Sequence, residues 1–253
     1  MSDAPSFAIE RFTHAGATLV AQESGEGDDL FVLIHGIGMG RSAFSELEGL
    51  LYDIGRVVAV DLPGYGETPE PGRVLTMEEN ADVVAAYLVD LTAGEDRGRI
   101  VILGHSMGAQ VALEVAARHP HLVDALVLVG PTVEPGARSA MRQLWRLMRD
   151  IIPESPQVIA VGAREYLRAG PRLLAKIRAV MVHRPEVTAR QVTAPALVIR
   201  GERDIVVPAE WAHQLTHALP DAYLREVAEF GHETMIRNAG PTATLIRDFL
   251  ADR

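Results

Sequence analysis

The sequence predicts an α/β fold, in which a mostly parallel eight-stranded sheet is flanked by helices and carries a helical insertion. Short apolar runs rich in Val, Ile and Leu alternate with segments whose apolar residues recur at helical spacing. Such alternation is typical of parallel sheets that are covered by helices on both faces. The alternation stops between residues 130 and 190, and the 253 residues are enough for one large core with such an insertion.

The N-terminal part is predicted to begin with a hairpin. Residues 7–12 and 17–21 are its strands, and His14-Ala-Gly16 is the turn between them. Buried strands are predicted at 30–34 and 56–60, with a helix over 42–51. A second helix, over 76–91, begins at Thr76, and Glu79 three residues later completes a capping box. This part therefore contributes four of the eight strands.

The C-terminal part repeats the alternation on either side of the insertion. Strands are predicted at 100–103 and 122–129, separated by a helix that ends near residue 120. Strands at 196–200 and 223–227 then alternate with helices at 208–219 and 235–250. Between them, residues 140–152, 158–169 and 172–182 have helical patterns separated by prolines. We therefore predict a core domain from residues 1–130 and 191–253, with a helical insertion at 131–190 after the sixth strand.

Composition argues against several classes of protein. The net charge of −10 disfavours a general nucleic-acid binder, and no run of 18 apolar residues is present to span a membrane. The chain has no cysteine, so disulfides, thiolate metal sites and a Cys nucleophile are excluded. No basic segment followed by an apolar run opens the sequence, so we expect no signal peptide. These features predict a cytoplasmic protein without nucleic-acid or membrane partners. We further expect it to act on a small molecule, as a monomer or homodimer.

A sharp turn after the fifth strand carries the strongest signal for chemistry. Gly104-His-Ser-Met-Gly108 joins an apolar strand directly to a helix. Glycines on both sides of Ser106 remove the Cβ atoms that would clash in so tight a turn, as in the G-x-S-x-G nucleophile elbow. The turn would lift the Ser106 hydroxyl above the sheet, beside unpaired N–H groups of the first helical turn. A glycine-rich turn with an incidental serine is the alternative, because a nucleophilic serine needs a base and an orienting group.

His232 is the predicted base. It lies in the loop after the strand at 223–227, and parallel strands end at one edge, so it should lie beside Ser106. The other histidines lie at turns, at helix ends, on helix faces or in the insertion. We interpret His35, at a strand end, as a packing residue that holds its loop. The side chain of His105 is expected to leave the turn in the wrong direction for catalysis.

Asp204 is the predicted orienting acid. It follows the strand at 196–200, one strand before the predicted base. A carboxylate there would fix the tautomer of His232 and stabilise the imidazolium that forms during catalysis. Glu202 is the competing carboxylate, and a surface salt bridge is the alternative interpretation for both residues.

Together these residues resemble the α/β-hydrolase superfamily. The resemblance covers nearly the whole chain, through His35-Gly-Ile-Gly38, Asp61-Leu-Pro-Gly-Tyr-Gly66, Gly104-His-Ser-Met-Gly108, Gly201-Glu-Arg-Asp204 and Gly231-His232. It implies a mechanism through Ser106, Asp204 and His232, without a metal or an organic cofactor. It also implies an oxyanion hole from the N–H groups of Met107 and Ile37, and a role for residues 131–190 as a cap over the site. A flexible turn is the alternative interpretation of residues 35–40, and a phosphate-binding loop is a weaker one, because no lysine follows the glycines.

The reaction that the resemblance implies is acyl transfer through an acyl-enzyme. The predicted function is hydrolysis of a small-molecule carboxylic ester, lactone or thioester. Ser106 departs from the dehalogenase and epoxide-hydrolase pattern, which has Asp there, and Glu233 departs from the hydroxynitrile-lyase pattern, which has Lys. Hydrolysis of a carbon–carbon bond, cofactor-free perhydrolysis and non-catalytic binding of a small molecule stay open, because the fold alone does not select among them.

The predicted cap gives one indication of substrate preference. Trp145 and Met148 belong to the apolar face of a predicted helix and are candidates for the roof of a substrate pocket. Residues 134–190 contain eleven basic and five acidic residues, against an acidic remainder. A cationic entrance for anionic substrates is one interpretation. The alternative is that the arginines among these basic residues are solvated or pair with the acidic core.

Overall fold

The computed structural model describes residues 8–94, 98–132, 134, 172–236 and 238–253. Within these ranges eight strands form one sheet: β1 (Ala8–His14), β2 (Ala17–Gly25), β3 (Leu30–Ile34), β4 (Arg56–Asp61), β5 (Ile100–His105), β6 (Ala125–Val129), β7 (Ala196–Gly201) and β8 (Ala222–Val227). The helices are α1 (Ser45–Leu51), α2 (Met77–Leu91), α3 (Met107–Arg118), α4 (Leu173–Val182), α5 (Pro185–Thr188), α6 (Ala209–Ala218) and α7 (Gly240–Ala251). The predicted eight-stranded α/β fold is confirmed.

The strand order places the ends of β5, β6, β7 and β8 in one row. The order across the sheet is β1-β2-β4-β3-β5-β6-β7-β8. β2 pairs antiparallel with β1 and β4, and all other neighbours are parallel. His105 at the end of β5 lies opposite Val129 at the end of β6, and Gly201 of β7 lies opposite Val227 of β8. Loops that follow these strands therefore meet at one edge of the sheet.

The core lies on both faces of the sheet. The buried strands β3 to β7 consist mainly of Val, Leu, Ile and Ala, as expected where helices cover both faces. On one face, α2, α3 and α6 contribute Val84, Leu113 and Trp211 to a continuous cluster. On the other face, α1 and α7 contribute Leu47 and Ile246. The nucleophile turn thus lies between the centre of the sheet and a fully packed helix.

Several predicted boundaries were wrong. β2 continues to Gly25 instead of ending at residue 21, because its residues up to Gly25 pair with β4. The last helix begins at Gly240 instead of residue 235, because Asn238 has φ 52° and the N–H groups of Asn238 and Ala239 donate to the Glu46 carboxylate. β6 begins at Ala125 instead of residue 122, because Pro120–Leu122 forms a 3₁₀ turn. The helix predicted from residue 42 opens with a 3₁₀ segment, Arg41–Phe44.

Part of the predicted insertion is among the described residues. α4 agrees with the helical pattern predicted over 172–182, and α5 is a further short helix that was not predicted. The helices predicted over 140–152 and 158–169, with Trp145 and Met148, lie outside the described residues. Across the described ranges, no helix combines the length and the apolar character needed to cross a membrane.

Candidate active site

The turn after β5 holds Ser106 in a strained conformation. Ser106 has φ 54° and ψ −112°, a region that residues with a side chain rarely adopt. A Cβ on Gly108 would lie 2.1 Å from the carbonyl oxygen of Ile34, and one on Gly104 would lie 2.2 Å from that of Gly108. Both positions therefore require glycine, and the close packing forces the chain to turn at Ser106. The observed strand–turn–helix geometry is that of a nucleophile elbow.

His232 and Asp204 are in direct contact at the ends of β8 and β7. Nδ1 of His232 lies 2.8 Å from Oδ2 of Asp204, and both residues are buried. Oδ1 of Asp204 accepts the N–H groups of Val206 at 2.8 Å and Val207 at 2.9 Å. A carboxylate accepts hydrogen bonds only, so the proton lies on Nδ1 of His232 and Nε2 is left as the basic nitrogen.

The Asp204 carboxyl is held in its ionised form. Burial alone would raise its pKa, but the neighbouring His232 and the two backbone donors outweigh that effect. The pKa of Asp204 therefore lies below its ordinary value. Glu202, the competing carboxylate, is exposed, and its Oε2 accepts the N–H of Glu229 at 3.0 Å. The structure thus places Asp204, and not Glu202, against the histidine.

Ser106 belongs to the same cluster through its neighbour in the turn. The ring of His105 lies with its centroid 5.0 Å from that of His232. Gly36, in the loop after β3, lies close to His105 and to Ser106. A Cβ built on Gly36 would lie 3.0 Å from Nδ1 of His105 and 3.3 Å from Cβ of Ser106. The predicted nucleophile, base and acid and the predicted oxyanion loop thus gather at one edge of the sheet.

One predicted oxyanion donor, Met107, belongs to the nucleophile turn, and the other, Ile37, lies in the loop after β3. Met107 is the first residue of α3, so its N–H has no acceptor within the helix. Ile37 lies in a turn closed by the N–H of Met39 donating to the Gly36 carbonyl at 3.2 Å, with φ 73° at Gly38. This turn presents Ile37 at its first central position.

His35 holds this turn in place, as its interpretation as a packing residue predicted. The N–H of Leu62 donates to Nε2 of His35 at 3.1 Å, so the ring proton lies on Nδ1 and donates to the Gly36 carbonyl at 2.7 Å. Burial, the largest influence, lowers the pKa of His35 and keeps it neutral. His35 therefore ties the loop after β3 to the loop after β4.

A buried lysine was missed by sequence reasoning. Nζ of Lys176, on α4, donates to the Gly64 carbonyl and to Glu70, each at 2.5 Å, and lies 4.4 Å from the centre of the Tyr65 ring. The Tyr65 hydroxyl in turn lies 3.4 Å from Sδ of Met107. No pattern in the sequence indicated this contact, because a lysine on an amphipathic helix is usually exposed. α4 is thereby anchored close to the nucleophile turn.

One group of three residues in the described ranges has the spacing of metal ligands. Donor atoms of Glu78, Glu114 and His183 lie within 4.8 Å of one another. Glu114 already accepts hydrogen bonds from Nε2 of His183 at 2.7 Å and from the Thr188 hydroxyl at 2.6 Å. These contacts join α3 to the chain that follows α4.

Comparison with known proteins agrees with the fold. Residues 31–245 match a family model described as the alpha/beta hydrolase family. The chain is 26% identical to 2-hydroxy-6-oxo-6-(2'-aminophenyl)hexa-2,4-dienoic acid hydrolase of Metapseudomonas resinovorans, covering 97% of this chain and 92% of that protein. It is 27% identical to pimeloyl-[acyl-carrier protein] methyl ester esterase of Methylococcus capsulatus, covering 92% and 98%. The structure of a thermophilic esterase from Thermogutta terrifontis is similar, with a TM-score of 0.78, 23% identity and 98% of each chain covered.

Proposed function

The chain belongs to the alpha/beta hydrolase family, and on that premise we propose that it is a serine hydrolase that cleaves a small-molecule carboxylic ester, lactone or thioester. In this proposal Ser106 is the nucleophile, His232 the general base and Asp204 the orienting acid. The observation that carries the proposal is the buried hydrogen bond from Nδ1 of His232 to Asp204, at the same edge as the strained serine turn. It leaves Nε2 of His232 free of a proton, which is what a base for Ser106 requires.

The proposed reaction has two halves. Oγ of Ser106 attacks the carbonyl carbon while Nε2 of His232 takes its proton, and the carbonyl oxygen becomes an oxyanion. The intermediate collapses as His232 returns the proton to the leaving oxygen or sulfur, which departs and leaves an ester on Ser106. Water, deprotonated by His232, then attacks that ester and releases the acid and the free serine.

The developing oxyanion is proposed to bind the N–H groups of Met107 and Ile37. These donors belong to backbone that is already fixed, by the start of α3 and by the turn at residues 36–39. Fixed donors need no reorganisation during the reaction, and loss of one such donor costs about 10²–10³ in rate in enzymes of this type. We further propose residues 131–190 as a cap over this edge, with Trp145 and Met148 contacting substrate. No cofactor is needed for these steps.

A carbon–carbon bond hydrolase is the second candidate, and the relative from Metapseudomonas resinovorans supports it. That protein is named for hydrolysis of a 2-hydroxy-6-oxo-dienoic acid, and this chain aligns with 92% of its length. Such a reaction would need a proton delivered to carbon, so the leaving carbon must be stabilised by a conjugated carbonyl group. The two candidates therefore differ in the substrate's leaving group.

Two assays test the proposal and separate the candidates. A fluorophosphonate probe should label the wild-type protein and fail to label Ser106→Ala. A panel of methyl and p-nitrophenyl esters, lactones and thioesters should then be compared with a panel of 2-hydroxy-6-oxo-hexa-2,4-dienoates. Turnover of an ester supports the first candidate, and preference for a dienoate supports the second. Equal labelling of wild type and Ser106→Ala would contradict both.

A further inference from the structure

A second histidine contacts the proposed base and has no role in the steps above. His105 is the last residue of β5 and is buried. Its Nε2 lies 3.3 Å from the main-chain carbonyl oxygen of His232, a residue 127 positions away in the chain. A carbonyl oxygen only accepts, so Nε2 of His105 carries the proton and donates it. The side chain of one histidine therefore holds the backbone of the other.

The His105 ring stays uncharged beside the base. Burial, and then the neighbouring His232, lower the pKa of His105 to about 3. With its proton on Nε2, the ring keeps a bare lone pair on Nδ1, and that atom has no hydrogen-bond partner among the described residues. A neutral ring 5.0 Å away does not repel the positive charge that His232 acquires when it takes the Ser106 proton.

The two rings are confined between two glycines. A Cβ on Gly36 would lie 3.0 Å from Nδ1 of His105, and a Cβ on Gly130 would lie 2.9 Å from Cε1 of His232. Gly130 follows β6, which lies in the sheet between β5, the strand before Ser106, and β7, the strand before Asp204. Space for the pair therefore exists because both flanking positions lack a side chain, so each ring packs directly against the backbone of one glycine.

We infer that His105 is a positioning residue, whose N–H anchors the main chain of His232 and keeps that ring aligned with Asp204 and Ser106. The inference rests on the proposed function, because it assigns His105 to the service of the proposed base. A chain segment that carries a base in a loop needs such anchoring, since small displacements of catalytic groups cost large factors in rate. His105 itself touches neither the reacting carbonyl nor the transferred proton.

Two substitutions separate the donor from the bulk of the ring. His105→Leu keeps much of the volume but has no donor, whereas the side-chain amide of His105→Gln can reach the same carbonyl. We expect His105→Leu to lower kcat and the rate of fluorophosphonate labelling by about 10–100-fold with little change in KM, in line with losses at other supporting residues. His105→Gln should keep rates within about threefold of wild type. His119→Gln, at the far end of α3, is the matched control and should leave rates unchanged.

Two further measurements distinguish positioning from general destabilisation. In His105→Leu the midpoint of the pH profile of kcat/KM should move to lower pH, because His232 loses part of its stabilisation by Asp204. The NMR resonance of the Nδ1 proton of His232, which reports the bond to Asp204 without any turnover, should shift or broaden in the same variant. A lowered Tm alone would produce neither change.

The outcomes are separable. Wild-type rates, an unmoved pH midpoint and an unchanged Nδ1 resonance in a folded His105→Leu protein would overturn the inference while leaving the proposed function intact. Equal losses in the Leu and Gln variants would also overturn it, because packing alone would then be responsible. Failure of wild-type labelling would contradict the proposed function, and the resonance would still report whether His105 positions His232.

Discussion

Replacing Asp204 by Asn should abolish most activity while leaving the protein folded. Asn is nearly the same size, and its amide oxygen can take the place of Oδ1, which accepts the N–H groups of Val206 and Val207. Its NH₂ group then faces Nδ1 of His232, where the carboxylate now accepts a hydrogen bond at 2.8 Å. Two donors cannot face each other, so His232 must move its proton to Nε2 and can no longer accept one from Ser106.

The magnitude follows from that change of tautomer. Enzymes with this arrangement lose about 10⁴ in kcat when the acid is replaced by its amide. A factor of 10⁴ corresponds to about 5.5 kcal/mol of transition-state stabilisation at 1.36 kcal/mol for each tenfold change. The fold should tolerate the substitution, because loss of a charge-assisted hydrogen bond costs about 1.5–3 kcal/mol against a typical stability of about 5–15 kcal/mol.

The assay is hydrolysis of whichever ester the panel identifies, together with the rate of fluorophosphonate labelling and a thermal melt. Glu202→Gln is the matched control, since Glu202 is exposed, contacts the Glu229 N–H and should leave the rate unchanged. If Asp204→Asn kept near-normal turnover and Glu202→Gln lost it, the assignment of the acid would be refuted.

Three further predictions concern pH, the insertion and salt. Since Asp204 has a lowered pKa, it stays ionised in mild acid. As pH rises, kcat/KM should therefore increase through one ionisation in the neutral range, that of His232. A rate independent of pH from about 5 to 9 would rule out His232 as the base. Glu114→Gln should lower the free energy of unfolding by about 1.5–3 kcal/mol in urea at neutral pH, whereas Glu229→Gln at an exposed pair should have no measurable effect. Burial would raise the pKa of Glu114, but hydrogen bonds from the chain after α4 lower it overall. The stabilisation by Glu114 is therefore present above its unfolded-state pKa and should fade as pH falls through the lowered value. A difference in unfolding free energy between wild type and Glu114→Gln that stayed constant with pH would argue against this. If the basic residues of the predicted cap attract anionic substrates, kcat/KM for anionic esters should fall as the salt concentration rises, and kcat/KM for neutral esters should not. Trp145→Ala should change the acyl-chain preference. Identical salt responses for the two kinds of ester, with an unchanged preference, would show that the positive charge has a structural role.

The sequence predicted most strands and helices because their signals lie within a few consecutive residues. The strand at 100–105 opens with four apolar, mostly β-branched residues, and a cap such as Thr76 with Glu79 is complete within four residues. The capping box is present as predicted, with both hydrogen bonds formed. Boundaries failed where a distant residue decided them, as at α7, whose preceding N–H groups are satisfied by Glu46 of α1.

The sequence by itself determined the strand–turn–helix at Ser106 and the positions of Asp204 and His232 after neighbouring strands. It could do so because parallel strands end at one edge, which makes position along a strand a guide to position in space. Tertiary structure alone decided which carboxylate meets His232, that Lys176 is buried against Tyr65, and that the His105 side chain donates to the His232 backbone. Each of these contacts joins residues far apart in the chain, and it depends on side-chain directions and close packing that no local pattern records.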